Sequence, residues 1–220
     1  MSDGLNEEFM NDPDAFLQKY TIDIAPYLDM EGKMGGSLND LGRGIDQPEH
    51  IAEGVYDFDL ALDAMNMAQL RLFNDRAKQP TKYSKRISAY WLPWNPKGAA
   101  SVSLDDLNNS GAAYLFTSSL AGCRFLITEG GFHHISGAIN RAAREDITEQ
   151  LRQGGRARSF SASSGTAYGD GAFICGYRNR TGFSRHRTGG WNFVAQSSEC
   201  DVGGYSIKQV WMNNDLFMIE

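Results

Sequence analysis

A chain of 220 residues, 41% of them hydrophobic, can bury one full core, and a single catalytic domain over residues 1–220 is expected. A formal charge of −6 with acids and bases interspersed leaves no basic stripe for a nucleic-acid backbone, so no direct nucleic-acid partner is expected. The chain shows no apolar run of membrane-span length and no basic-then-apolar leader, and its three cysteines lack zinc-ligand spacing. The reading is a soluble protein with free thiols, no membrane partner, no metal and no cofactor, acting as a monomer.

Residues 1–50 are acidic and punctuated by Pro13, Pro26, Gly32, Gly35, Gly36 and Gly42. They read as a loosely structured N-terminal wrap with one short amphipathic candidate between Glu7 and Tyr20. From Asp57 to Lys78, the residues Phe58, Ala61, Met65, Ala68 and Leu72 recur at helical spacing before Pro80, which predicts a helix covering a sheet. Short apolar runs then predict strands at 87–92, 112–116, 123–127 and 132–136. Ile139, Ala143, Ile147 and Leu151 predict a second helix that stops at Gly154-Gly155. Strands at 157–161, 172–177, 191–196, 205–212 and 216–219 follow, separated by Gly-rich turns. The fold class is α+β: a sandwich of two mixed β-sheets with helices and long loops outside.

Several features carry little chemistry. The run Gly165 to Gly171 lacks the Lys-Ser/Thr ending of a phosphate loop and reads as a turn. Residues 177–187 form the one locally basic stretch, either a solvated loop or a grip for an acidic protein patch. Trp91, Pro93 and Trp94 either close the core or rim a cleft. Asp57, Asp59 and Asp63 fall on the first predicted helix and suggest no metal site.

The most informative segment is Leu120-Ala121-Gly122-Cys123, followed by a predicted strand, a Glu129-Gly130-Gly131 turn and the pair His133-His134. It places a thiol and an imidazole on one hairpin. A thiol becomes a strong nucleophile when a neighbouring imidazole takes its proton. With a four-residue loop, Ile127 faces Phe132, Phe125 faces His134 and Cys123 faces Ser136, which makes Cys123 and His134 diagonal neighbours on one face. A bulge or an odd loop would bring in His133 instead. Gly122 removes a side chain beside the thiol, so the backbone N–H groups of Gly122 and Cys123 can face a developing oxyanion. Thr117 can orient the imidazole through its hydroxyl or its carbonyl.

Thr117, Leu120, Gly122, Cys123 and His134, in this order, resemble the Leu-Ser-Gly-Cys motif and following histidine of bacterial toxin glutamine deamidases. These are the cytotoxic necrotizing factor catalytic domains and, closer in size and spacing, the Burkholderia lethal factor type. The resemblance covers Thr117 to Gly137, about a tenth of the chain, and departs from the motif at Ala121, where serine is common. It implies Cys123 as nucleophile, His134 as general base and Thr117 as the group that positions the histidine. It also implies a host protein substrate: a translation-initiation RNA helicase ahead of a small GTPase, reached by export without a cleavable signal and action in host cytoplasm. A cysteine protease or transglutaminase using the same pair, and a non-catalytic β-sandwich binding module, remain alternatives.

Overall fold

The computed structural model describes residues 3–24, 26–28, 34–37, 52–62, 67–72, 85–118, 120, 122–153, 155, 157–161, 171–178, 190–201, 204–212 and 218–219. In chain order the helices are α1 (Asp3–Asn11), α2 (Pro13–Lys19), α3 (Leu104–Asn109) and α4 (Arg141–Arg152). The first strands are β1 (Ile22–Asp23), β2 (Pro26–Leu28), β3 (Met34–Ser37), β4 (Gly54–Leu62), β5 (Ala68–Leu72), β6 (Ile87–Leu92) and β7 (Ala99–Ser103). They are followed by β8 (Tyr114–Thr117), β9 (Arg124–Ile127), β10 (Gly131–Ile135), β11 (Arg158–Ser161), β12 (Gly171–Arg178), β13 (Trp191–Asp201), β14 (Gly204–Met212) and β15 (Met218–Ile219).

Eight strands in the order β1-β5-β4-β6-β8-β12-β13-β14 form one sheet, and five in the order β15-β11-β9-β10-β7 form another. The larger sheet is mixed, because β1 runs parallel to β5 and β6 parallel to β8. The smaller sheet is antiparallel throughout its described ladders, and the two sheets with helices outside them are the expected α+β architecture.

The strands alternate their side chains between faces, and three apolar clusters divide the molecule into layers. The first packs Phe9, Phe16 and Leu17 of the N-terminal helices against Phe58, Trp91, Phe116 and Phe173 of the larger sheet. The second lies between the sheets, where Phe125, Phe132 and Phe160 meet Leu115, Trp191 and Phe193. The third joins Leu126 and Ile135, on the far face of the smaller sheet, to Ile139, Ile147 and Leu151. The order is helices, sheet, sheet, helix. Each fully buried Phe or Trp here contributes on the order of 2–3 kcal/mol. Phe132 and Phe193 hold the two sheets together, with ring centroids 4.8 Å apart.

Two expectations are corrected. The helix predicted over 57–78 is an antiparallel hairpin within its described part, with Phe58 opposite Leu72 and Leu60 opposite Leu70. The segment Val55-Tyr56-Asp57-Phe58-Asp59-Leu60 also has a period of two, and burying Phe58 and Leu60 while Val55 stays exposed satisfies a sheet as a helix would not. Asp57 and Asp59 therefore sit on a strand, paired with Arg86 and Asn6 respectively, and Asp63 and residues 73–78 lie outside the described residues.

The N-terminal segment is also no loose wrap where it is described. Asp12 caps α2, and Phe9 and Phe16 are 1% exposed. Buried Gln196 ties this segment down, its Oε1 accepting from Ile22 N–H at 2.7 Å and its Nε2 donating to the carbonyls of Leu17 and Tyr20. The predicted second helix is α4, capped by Asn140. β7 and α3 had no sequence expectation. Gly165 to Asp170 and residues 179–187 lie outside the described residues.

Candidate active site

The site draws on both sheets. Thr117 ends β8 of the larger sheet, where its parallel neighbour is Leu92 of β6. His134 lies in β10 of the smaller sheet, opposite Phe125. The two meet across the inter-sheet core. Thr117 Oγ1 is 2.7 Å from His134 Nδ1, and the same hydroxyl donates to the Leu92 carbonyl at 2.8 Å.

This pair of bonds assigns the imidazole tautomer. A hydroxyl has one proton and a carbonyl only accepts, so the Thr117 proton is committed to Leu92. His134 Nδ1 must then carry its own hydrogen and donate it to Thr117, which leaves the lone pair on Nε2. Nε2 is buried and has no hydrogen-bond partner among the described residues. Burial pushes the His134 pKa from 6.5 down to about 3, so the ring is neutral at physiological pH.

Cys123 immediately precedes β9, is 4% exposed and packs in the inter-sheet cluster with Leu120, Phe125 and Phe132. The hairpin pairs Ile127 with Phe132 and Phe125 with His134, the register expected for a four-residue connection. The ladder ends at the Arg124–Ile135 pair, and continuing its register by one step sets Cys123 opposite Ser136 and diagonal to His134, a spacing that in antiparallel pairs is roughly 7–8 Å between Cα atoms. The Cys123 Sγ accepts a hydrogen bond from Gly137 N–H at 3.3 Å. Gly122 is exposed and left-handed, with φ of 76°, a conformation that disfavours any residue with a side chain.

His133 points to the opposite face. Its Nδ1 is 2.8 Å from Ser101 Oγ and its Nε2 is 3.0 Å from Thr128 Oγ1, so both ring nitrogens are engaged. Burial lowers its pKa to about 4. The sequence left open which histidine faces the thiol, and the strand parity places His134 on that side.

Other groups shape the site as well, among them two that the sequence reading passed over, the Leu92 carbonyl and Gly137, and one it placed at a core or cleft rim, Trp94. The Leu92 carbonyl orients Thr117, and a backbone atom leaves no mark on residue type. Gly137 packs on the Gly122–Cys123 peptide so closely that a Cβ there would lie 2.5 Å from both the carbon and the oxygen of the Gly122 carbonyl. Trp94 Nε1–H donates to Ser136 Oγ at 3.0 Å, and that oxygen also accepts from Ala138 N–H at 3.0 Å, which orders the turn after His134. Trp91, by contrast, is fully buried in the outer core. Among the described residues no group of three or more His, Cys, Asp or Glu is arranged to hold a metal ion, and no helix is long and apolar enough to cross a membrane.

No protein-family model matches the chain, and no curated protein matches it either. The chemical reading therefore rests on the residues and their arrangement.

Proposed function

We propose that the protein is a thiol-dependent amide hydrolase acting on glutamine side chains, with Cys123 as nucleophile, His134 as base and Thr117 positioning the imidazole. The observation that carries this reading is the His134 tautomer. A neutral ring bonded at Nδ1, with an unpartnered lone pair on Nε2 and a thiol diagonal to it, is the form a base must have before it takes a proton. An imidazolium in this buried setting needs a counter-charge, and the oxyanion that forms as sulfur adds to the carbonyl carbon provides it, so proton transfer accompanies attack on the substrate.

The steps follow. His134 Nε2 takes the Cys123 proton as sulfur adds to the side-chain carboxamide carbon, and backbone N–H groups at Gly122 and Cys123 stabilise the tetrahedral oxyanion. The imidazolium returns the proton to the departing amine, ammonia leaves, and a thioester remains. Water deprotonated by His134 then attacks the thioester, releasing glutamate on the target and the thiol on the enzyme. Following the resemblance carried by Thr117 to His134, the proposed target is a host translation-initiation RNA helicase, modified in host cytoplasm. Replacing a neutral glutamine by an anion would disable a catalytic or contact glutamine and block protein synthesis.

The test is peptide mass spectrometry of eukaryotic lysate proteins treated with the wild-type chain and with Cys123→Ser. A gain of about one dalton at a specific glutamine, seen only with the wild type, is expected and names the target. Chain cleavage or amine incorporation at that site would replace deamidation by a protease or transglutaminase reading. No covalent change, together with a Cys123 inert to iodoacetamide, would leave a binding module.

A further inference from the structure

Glycine at position 122 raises a mechanical difficulty for a nucleophile at position 123. A glycine visits both signs of φ at little cost, so the peptide joining it to Cys123 has no intrinsic preference strong enough to aim the thiol or its amide. An external lock is needed, and α4 supplies one. Arg144 Nη1–H donates to the Gly122 carbonyl at 3.0 Å, across 22 positions of sequence.

The lock is itself held firmly. Arg124, which opens β9 directly after the thiol, makes paired bonds of 3.1 Å to both carboxylate oxygens of Glu145 and donates to Thr148 Oγ1 at 2.9 Å. Thr148 Oγ1 in turn donates to the Arg144 carbonyl at 2.8 Å. Ile147 and Leu151 pack on Leu126 and Ile135 on the same face of the hairpin. The helix that carries Arg144 is thus pinned to the strands that carry Cys123 and His134.

Peptide geometry converts this contact into an orientation. The Gly122–Cys123 bond is trans, so its C=O and N–H point in opposite directions. With the carbonyl turned toward Arg144, the Cys123 N–H is turned away from the helix. Gly137 fills the space on which this peptide rests, and its own N–H reaches the sulfur. A cation on the carbonyl also polarises the peptide and makes its N–H a stronger donor.

We infer that Arg144 is a positioning residue of the site: its guanidinium fixes the Gly122–Cys123 peptide in the one orientation that presents the thiol and the Cys123 N–H to a substrate carbonyl. Lysine carries the charge on a single flexible point and holds the plane less well. This inference rests on the thiol-hydrolase reading above.

The experiment is the rate of iodoacetamide alkylation of Cys123 in the full chain, followed by peptide mass across pH, with thermal unfolding measured alongside. Wild type, Arg144→Ala, Arg144→Lys and Glu145→Gln are compared. Arg144→Ala is expected to slow labelling by about tenfold or more and to alter its pH profile, and Arg144→Lys to recover part of the rate. Glu145→Gln loosens α4 without touching the Gly122 carbonyl, and is expected to lower Tm while leaving the pH profile in place. A folded Arg144→Ala with wild-type rate and profile overturns the inference alone, and so does a Glu145→Gln that reproduces the Arg144→Ala profile. A wild-type Cys123 that does not label overturns the hydrolase reading and this inference with it.

Discussion

His133 and His134 are neighbours in one strand, both are buried, and burial keeps both neutral, yet they are set up for different work. His133 faces the outer side of the smaller sheet, where Ser101 and Thr128 engage both of its nitrogens. His134 faces the core between the sheets, where Thr117 engages Nδ1 and Nε2 stays unpartnered among the described residues. Leaving a buried polar nitrogen unpaired costs about 1–3 kcal/mol. Both nitrogens of His133 are therefore satisfied, whereas His134 keeps one nitrogen unpaired, the feature on which its proposed role as general base rests. Burial and pKa do not separate the two, and hydrogen-bond accounting does.

The sharpest way to break this comparison is to remove each ring in turn. His134→Gln is expected to reduce lysate deamidation and Cys123 labelling by about 10²–10⁴-fold, the usual contribution of a general base, whereas His133→Gln keeps both near wild type. Equal losses in the two variants would erase the distinction. Thr117→Val should come next. It removes the acceptor for His134 Nδ1–H, frees the ring to change tautomer and is expected to reduce activity by about 10–100-fold, by analogy with the partners that orient metal-bound histidines. Thr117→Ser, which retains the hydroxyl, should retain most of the activity. Wild-type rates in the valine variant would assign the tautomer to some other group.

The smallest effect is on stability against pH. Each histidine has a folded pKa below its unfolded value of 6.5, so as pH falls the unfolded chain binds protons first. The stability linked to neutral burial is complete above pH 6.5 and is lost as pH falls toward about 4 for His133 and about 3 for His134. Urea unfolding between pH 6.5 and about 5 should show a slope approaching 1.4 kcal/mol per pH unit for each histidine. His133→Gln should remove one such increment. A slope unchanged by that substitution would place His133 outside the buried set.

Legibility in the sequence followed the physics of each signal. The site hairpin was readable because strand alternation and a four-residue connection fix which side chains share a face, and the observed pairing of Phe125 with His134 is the expected one. The helix α4 was readable from its apolar spacing and the Gly154-Gly155 stop that follows it. The segment from Asp57 failed for the same kind of reason. Its apolar residues fit both periods, and the choice between them was made by pairing with β5, later in the same segment, and with β6 beyond it. The N-terminal helices were underrated because their stability comes from Phe9, Phe16 and Leu17 meeting the larger sheet, not from local propensity.

The sequence by itself determined the α+β class, the site hairpin with its thiol and histidine pair, and the presence of Thr117 nearby in the chain. Those are local matters, governed by periodicity and spacing within a few residues. Only the tertiary structure decided that Thr117 crosses from one sheet to the other to reach His134, that the Leu92 carbonyl fixes the tautomer, and that Arg144 and Gly137 grip the peptide before the thiol. Each of those contacts joins elements distant in sequence, and most involve backbone atoms that every residue type shares. Such contacts exist only once the layers have packed.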